Sequence, residues 1–467
     1  MNKKFITILS IAACIIFSIS IFYVVNYSLD YEKTVVVDDR ADAEILNNAN
    51  FDAVKDVKLQ GLPEAASVFD THQLQLWCND KLLLTHINPL FKFDENMNLV
   101  RDLSSPFSPY QNPKTDFSKN ALYLMNPDDG KLEQLTETNP YNIVRCYLSP
   151  DRTKMLVYES YNIIGEEGVK DASQIESDSA PFTIDGYGNL KSRIRMYDFK
   201  TKRFSIIDEW DTKYLVDKNE YGAAGLYNTF GDLSWSMDGN GIVYCEKTAA
   251  DEYKFKVFTL DNYNEIEYIV RESEGRFERV FLHAISKDLK QVWFSGVSGF
   301  MAGSLGFDLE GAKSSIYLLD LNKLENGAQE LVKNMVFTRV LNDENTIIYA
   351  SEPNVSDSTF KLYQYDMSQK QNKLIDENVY AEFEVSKDGR TLAYLSSDGI
   401  GFELNMIGIN PGTETEKIVL YKSGPESYIV NGLSWSNDDS KVAVSYYKNN
   451  GMLNSSGQLC VLTLKKD

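Results

Sequence analysis

A short cassette recurs along the chain and limits what the chain can fold into. Its clearest copies are Leu433-Ser434-Trp435-Ser436-Asn437-Asp438-Asp439-Ser440-Lys441-Val442-Ala443-Val444 and Leu233-Ser234-Trp235-Ser236-Met237-Asp238-Gly239-Asn240-Gly241-Ile242-Val243-Tyr244. In each, an apolar run enters a Ser/Asp/Asn turn and a second apolar run leaves it, the pattern of a tight β-hairpin. Turns of the same kind stand at Ser149-Pro150-Asp151-Arg152, Ser286-Lys287-Asp288-Leu289 and Ser386-Lys387-Asp388-Gly389, with a degenerate member at Asn342-Asp343-Glu344-Asn345. The serines at 236, 286, 386 and 436 keep a period near 50 residues. That period matches a four-stranded propeller blade.

A second strand–turn–strand pattern follows each cassette. It reads as residues 194–198 with 204–207, 256–261 with 266–270, 316–320 with 330–332, 362–366 with 373–375, and 404–409 with 417–420. Together the two hairpins give four strands per unit, here a to d from the axis outward. Units then begin near residues 70, 141, 229, 278, 335, 378 and 427. The expectation is an all-β fold, a β-propeller of seven four-stranded blades; the long gap from Ser149 to Ser236 leaves six or eight open. The 28 Tyr and 24 Phe suit strands. The last unit stops after its third strand, at residues 458–464, which would leave a sheet edge exposed. Residues 53–60 (AVKDVKLQ) alternate suitably and are predicted to supply the missing outer strand.

The cassette resembles the Pro-Asp variant of the WD40-type repeat (the PD40 repeat) found in TolB-like propellers and in those of dipeptidyl-peptidase-IV-like proteins. Ser149-Pro150-Asp151 keeps the Pro-Asp pair. The resemblance covers most of residues 53–467 and implies a fold rather than an activity. Dipeptidyl-peptidase relatives carry a Gly-x-Ser-x-Gly elbow. Gly296-Val297-Ser298-Gly299 and Gly432-Leu433-Ser434-Trp435-Ser436 both fall short of it.

The N-terminus bears on location. Lys3 and Lys4 precede an uncharged stretch over residues 5–27, long enough as a helix to cross a bilayer. The lysines favour a cytoplasmic N-terminus, which puts the rest outside. The division expected is a membrane anchor at 1–27, an acidic extracytoplasmic tether at 28–52, and the propeller at 53–467. Ile11-Ala12-Ala13-Cys14 also resembles a lipobox, so lipidation of Cys14 is the second choice for the anchor. The formal charge of −21 argues against nucleic acid as a partner. Cys78, Cys146, Cys245 and Cys460 are too scattered for a zinc or redox motif and read as single buried thiols.

Four long segments, 88–120, 161–191, 209–230 and 296–313, fall on b–c or d–a connections and so should emerge on one face of the propeller. Loops of more than about 15 residues are uncommon without a reason. They carry Phe107 and Tyr110; Phe182 and Tyr187; Trp210, Tyr214, Tyr221 and Tyr227; and Phe300, Met301 and Phe307. Aromatics in such places serve recognition, or they bury themselves as a lid. The expected function is a membrane-anchored binding scaffold whose long-loop face holds another envelope or membrane protein, or a cell-wall glycan. The rival is a glycan-active hydrolase or lyase using loop carboxylates and tyrosines. No catalytic residue, metal or cofactor is assigned. Trp235 and Trp435 occupy equivalent places in two units, which argues for packing between blades.

Overall fold

The computed structural model describes residues 54–61, 72–86, 121–137, 141–161, 191–211, 214–218, 224–228, 230–249, 252–271, 279–298, 313–354, 359–397, 401–409, 417–423, 427–449 and 455–466. The expected anchor, the tether and Cys14 lie outside them. No described helix is long and apolar enough to cross a membrane.

Apart from one two-stranded hairpin, the described strands fall into seven antiparallel sets of four, two of which share a strand. Blade 1 consists of His72–Cys78, Lys81–His86, Leu122–Met125 and Leu132–Gln134, and blade 2 of Tyr141–Leu148, Lys154–Tyr161, Lys191–Asp198 and Arg203–Asp211. Blade 3 comprises Phe230–Trp235, Gly241–Ala249, Glu252–Thr259 and Asn264–Arg271. Blade 4 comprises Arg279–Ile285, Gln291–Ser298, Lys313–Asp320 and Gln329–Lys333. Blades 5 and 6 form one seven-stranded sheet, because Gln371–Val385 runs from the outer edge of one to the inner edge of the next. Blade 5 opens with Met335–Val340, Thr346–Asn354 and Thr359–Asp366, and blade 6 continues with Thr391–Ser397, Phe402–Gly408 and Ile418–Lys422. Blade 7 takes Ser427–Trp435, Lys441–Asn449 and Ser455–Lys466 from the C-terminal end of the chain.

Its fourth strand comes from the other end. Val54–Gly61 pairs antiparallel with Ser455–Lys466, matching Val57 to Leu464, Leu59 to Leu462 and Gly61 to Cys460. The edge left by the third strand is thereby covered.

Hydrophobic burial shows how the sheets are ordered, because each core cluster is shared by two successive blades. Leu76, Leu83 and Leu122 of blade 1 pack with Met155, Val157 and Tyr197 of blade 2. The same holds for blades 2 and 3, 3 and 4, 4 and 5, 5 and 6, and 6 and 7. Leu74, Trp77 and Leu82 of blade 1 pack with Ala443, Leu459 and Val461 of blade 7. The sequence of contacts closes on itself. A ring of sheets packed face to face around an axis is a β-propeller.

The cassette is the clamp at each a–b turn. In blades 2, 3, 4, 6 and 7 the serine hydroxyl donates to the aspartate two residues on and accepts the N–H five residues on. For Ser236 these distances are 2.7 Å to Asp238 and 2.7 Å from Gly241; for Ser436 they are 2.7 Å to Asp438 and 2.8 Å from Lys441. The turn needs a positive φ at its fourth residue, which Gly239 (φ 73°) and Gly389 (φ 75°) adopt freely. Blade 5 departs from the expected reading by one residue. Its turn starts at Leu341, whose N–H bonds to the Thr346 carbonyl, and the Thr346 hydroxyl supplies the missing serine by donating to Asp343 at 2.6 Å.

Trp235 and Trp435 play matching roles between blades. The Trp235 indole N–H donates to the Tyr147 carbonyl of blade 2 at 2.9 Å, and that of Trp435 to the Glu384 carbonyl of blade 6 at 3.1 Å.

Candidate axial binding site

Strand a of every blade carries a register shift against strand b. In blades 2, 3, 5 and 7 the unpaired residue falls five places before the turn's first residue. A bulge bends the strand and re-aims the side chain that follows it. In blades 2 and 3 that next residue is Arg145 and Asp232; in blade 6 the irregular stretch, residues 380–382, itself contains Glu382. Charge therefore appears on innermost strands that are otherwise apolar.

Seven ionisable groups from five blades come together here: Arg145, Tyr147, Asp232, His283, Arg339, Glu382 and Glu384. Arg145 lies 3.6 Å from Asp232 across the blade 2–blade 3 contact, and its guanidinium sits over the Tyr147 ring. Asp232 is buried and accepts the Tyr147 hydroxyl at 2.6 Å and the Leu282 N–H at 2.9 Å. Burial raises its pKa, and Arg145 opposes that. Burial also raises Tyr147 well above the ordinary range, with the Asp232 charge adding to it.

His283, on blade 4, bonds through Nε2 to the Ser295 hydroxyl. Burial, then the charges of Arg339 and Arg145, push it down to about 3, so it is neutral at ordinary pH. Both guanidinium fields reach this ring, which places the arginines of blades 2 and 5 on the same space. On blade 6, burial raises Glu382 and lifts Glu384 to about 7, against the opposing charges of Arg152 and Arg339. Glu384 is held in place by the Trp435 N–H, which donates to Oε2 at 2.8 Å.

Exposure and surroundings together define the setting. The Arg145 side chain is 57% exposed and Arg339 is also exposed, so both guanidinium groups open to solvent from innermost strands whose neighbours are mostly buried.

At the a–b end, Arg152 of blade 2 reaches past the short Asn79-Asp80 turn of blade 1 to blade 7. There it donates to the Ser436 carbonyl and pairs with Asp439 at 3.2 Å. Asp439 also accepts the Lys387 N–H of blade 6 at 3.0 Å. One buried ion pair thus ties the turns of blades 2, 6 and 7.

The aromatic residues expected to form the site fall differently. Phe107, Tyr110, Phe182, Tyr187, Tyr221, Phe300, Met301 and Phe307 lie outside the described residues. Tyr214 and Tyr227 fall on the hairpin Tyr214–Lys218 with Ala224–Asn228, of which only the backbone is described. That hairpin, and strand Arg203–Asp211 before it, occupy much of what reads in sequence as the long connection 209–230. Trp210 is half-buried and stacks between Tyr158 and Tyr244, with ring centroids 6.3 and 5.4 Å apart. Its ring is taken up by packing between blades 2 and 3. Cys78, Cys245 and Cys460 are buried, Cys146 is half-buried, and all four are free thiols. Among the described residues, no group of three or more His, Cys, Asp or Glu is arranged to hold a metal ion.

Sequence reading missed the axial groups because it looked for function in insertions. A signal was present: charged or hydroxylated residues at i and i+2 in a first strand, as in Arg145 and Tyr147, Asp232 and Ser234, or Glu382 and Glu384. A core-facing strand position would not tolerate them singly.

The fold is that of a β-propeller of four-stranded blades. No family model matches the chain, and no curated protein matches it. Among solved structures it is similar to TolB from Acinetobacter baumannii, at 14% identity over 67% of this chain with a TM-score of 0.38. The match spans 62% of that TolB chain, less than two thirds of its length. An oligogalacturonate lyase in complex with manganese is similar at 12% identity, covering 85% of this chain and 90% of that one (TM-score 0.45). Oligogalacturonate lyase from Vibrio parahaemolyticus is similar at 10% identity, covering 88% and 98% (TM-score 0.46).

Proposed function

We propose that this chain is a seven-bladed, membrane-anchored, extracytoplasmic β-propeller that serves as a binding module, and that its ligand is held at the axis. In this reading residues 1–27 anchor it, residues 28–52 space the propeller from the bilayer, and the long b–c connections surround the open mouth. The partner is another envelope protein or a cell-wall glycan that presents a group to the mouth. One observation supports the axis over the rim: solvent-accessible Arg145 and Arg339 share one space with Asp232, Glu382 and Glu384. Ion pairs kept away from a dry core and open to water give specificity more than stability. Affinity capture from native membranes with the full chain in detergent tests it. The double variant Arg145→Gln/Arg339→Gln should lose the partner; retention at wild-type yield contradicts the axial site.

A glycan-active reading draws on a different observation, a carboxyl at Glu384 lifted to about 7, where a general acid works at neutral pH. It requires turnover of an acidic oligosaccharide that Glu384→Gln abolishes. Binding without turnover favours the module.

A further inference from the structure

The geometry points to a carboxylate as the group that the axial site recognises, with Arg339 as its principal anchor and Arg145 as a second positive charge. This inference rests on the reading that the axis is the binding site, and it names the ligand chemistry.

Among the guanidinium groups near the axis, Arg339 stands apart. Arg145 is beside Asp232, Arg152 pairs with Asp439, Arg193 and Arg195 share the buried Glu159, and Arg271 pairs with Glu252. Arg339 makes one hydrogen bond, from Nη1 to the Thr338 carbonyl at 3.2 Å, and no ion pair with any described residue. Arg203 likewise makes no ion pair with a described residue, but it lies on the outer strand Arg203–Asp211; within the axial cluster Arg339 is the guanidinium left without a carboxylate partner. A guanidinium offers five N–H donors in a planar fork. Most of that fork is available to a ligand.

The surroundings select the anion. Asp232, Glu382 and Glu384 add negative charge to the same space, so a dianion such as sulfate meets more repulsion than a monoanion. A planar carboxylate also matches the two-point geometry of the fork.

Glu384 sets a pH dependence. The charges acting on it are those of the Arg152–Asp439 pair and of Arg339 from blade 5, with the Trp435 N–H on its oxygen; Glu382 stands two residues before it on the same strand. Arg145, Tyr147, Asp232 and the neutral His283 complete the cluster. As pH rises through about 7, Glu384 becomes anionic beside Arg339 and competes with the ligand. An added carboxylate should bind more tightly at pH 6 than at pH 8.

The test is calorimetric titration of the full chain in detergent with N-acetyl-L-alanine and with D-gluconate at pH 6, using N-acetyl-L-alanine amide and sulfate as comparisons. At least one of the two acids should bind, and the tighter one names the source of the carboxylate. The amide and sulfate should bind at least tenfold more weakly. Arg339→Gln should weaken the acid at least tenfold and Arg339→Lys by an intermediate factor, both with unchanged strand circular dichroism. Moving to pH 8 should weaken wild type several-fold and leave Glu384→Gln unchanged. Failure of both acids to bind, equal binding of the amide, or Arg339→Gln within twofold of wild type overturns the inference. If neither acid binds but membrane capture still depends on Arg145 and Arg339, the axial site stands and the ligand class falls. If an acid binds through Arg339 but capture ignores both arginines, the partner reading falls instead.

Discussion

Replacing Glu384 with glutamine should stabilise the protein, and only above mildly acidic pH. Burial raises the Glu384 pKa from 4.5 to about 7, so the folded state keeps a proton that the unfolded state has released. Below about pH 4.5 both states are protonated and the group contributes nothing to the difference. Between 4.5 and 7 the unfolded state loses its proton first, stability falls, and above 7 the full penalty is present. A tenfold change in proton affinity corresponds to about 1.4 kcal/mol, which sets a ceiling of about 3 kcal/mol. Water at the axis screens the charge, leaving about 1–2 kcal/mol. Glutamine keeps an oxygen for the Trp435 N–H, now at 2.8 Å, and carries no charge. Urea unfolding of both proteins at pH 4.5, 6 and 8 should show curves that coincide at 4.5 and separate progressively, with the variant more stable at 8. A variant that is less stable at pH 8, or a gap that does not change with pH, would refute the reasoning about this carboxyl.

Other consequences concern the clamps around the ring. Arg152→Ala removes one partner of a buried pair and leaves Asp439 facing the Lys387 N–H alone, so it should cost about 3 kcal/mol in urea unfolding. Trp435→Phe deletes the indole N–H that holds the Glu384 carbonyl and shrinks a fully buried side chain; about 2–3 kcal/mol of lost stability is expected by the same assay. Ser386→Ala takes away the acceptor for the Thr391 N–H and should cost about 1–2 kcal/mol, whereas Ser368→Ala, on an exposed c–d turn, should cost less than about 0.5 kcal/mol.

The architecture was readable because each blade repeats the same local chemistry. Ser236 and Asp238 must bond each other to close their turn, so the residue types recur wherever the turn does, and strand a follows at a fixed distance. The outer strand at 54–61 was legible for a negative reason: a third strand ending at residue 466 leaves donors and acceptors that some segment must meet. Leu341 was misaligned because its clamp comes from Thr346, on the far side of the turn, which a search for serine at one position overlooks. The axial charges were the harder case. Arg145, Asp232 and Arg339 lie far apart in sequence and each looks like an isolated polar residue in an apolar strand. Only closure of the ring puts them in one space, and bulges re-aim Arg145 and Asp232. Trp210 shows the converse, since its place beside a long connection suggested recognition while its stacking partners Tyr158 and Tyr244 belong to strands before and after it in sequence.

Hydrogen exchange of the full chain at pH 6, with and without saturating N-acetyl-L-alanine, tests directly whether the axis is the site. Binding there should slow exchange in the innermost strands 141–148, 335–340 and 379–385 and leave the outer strands 203–211 and 264–271 unchanged. Slowing confined to 88–120 and 161–191, with the innermost strands unaffected, would place recognition on the rim and contradict the account.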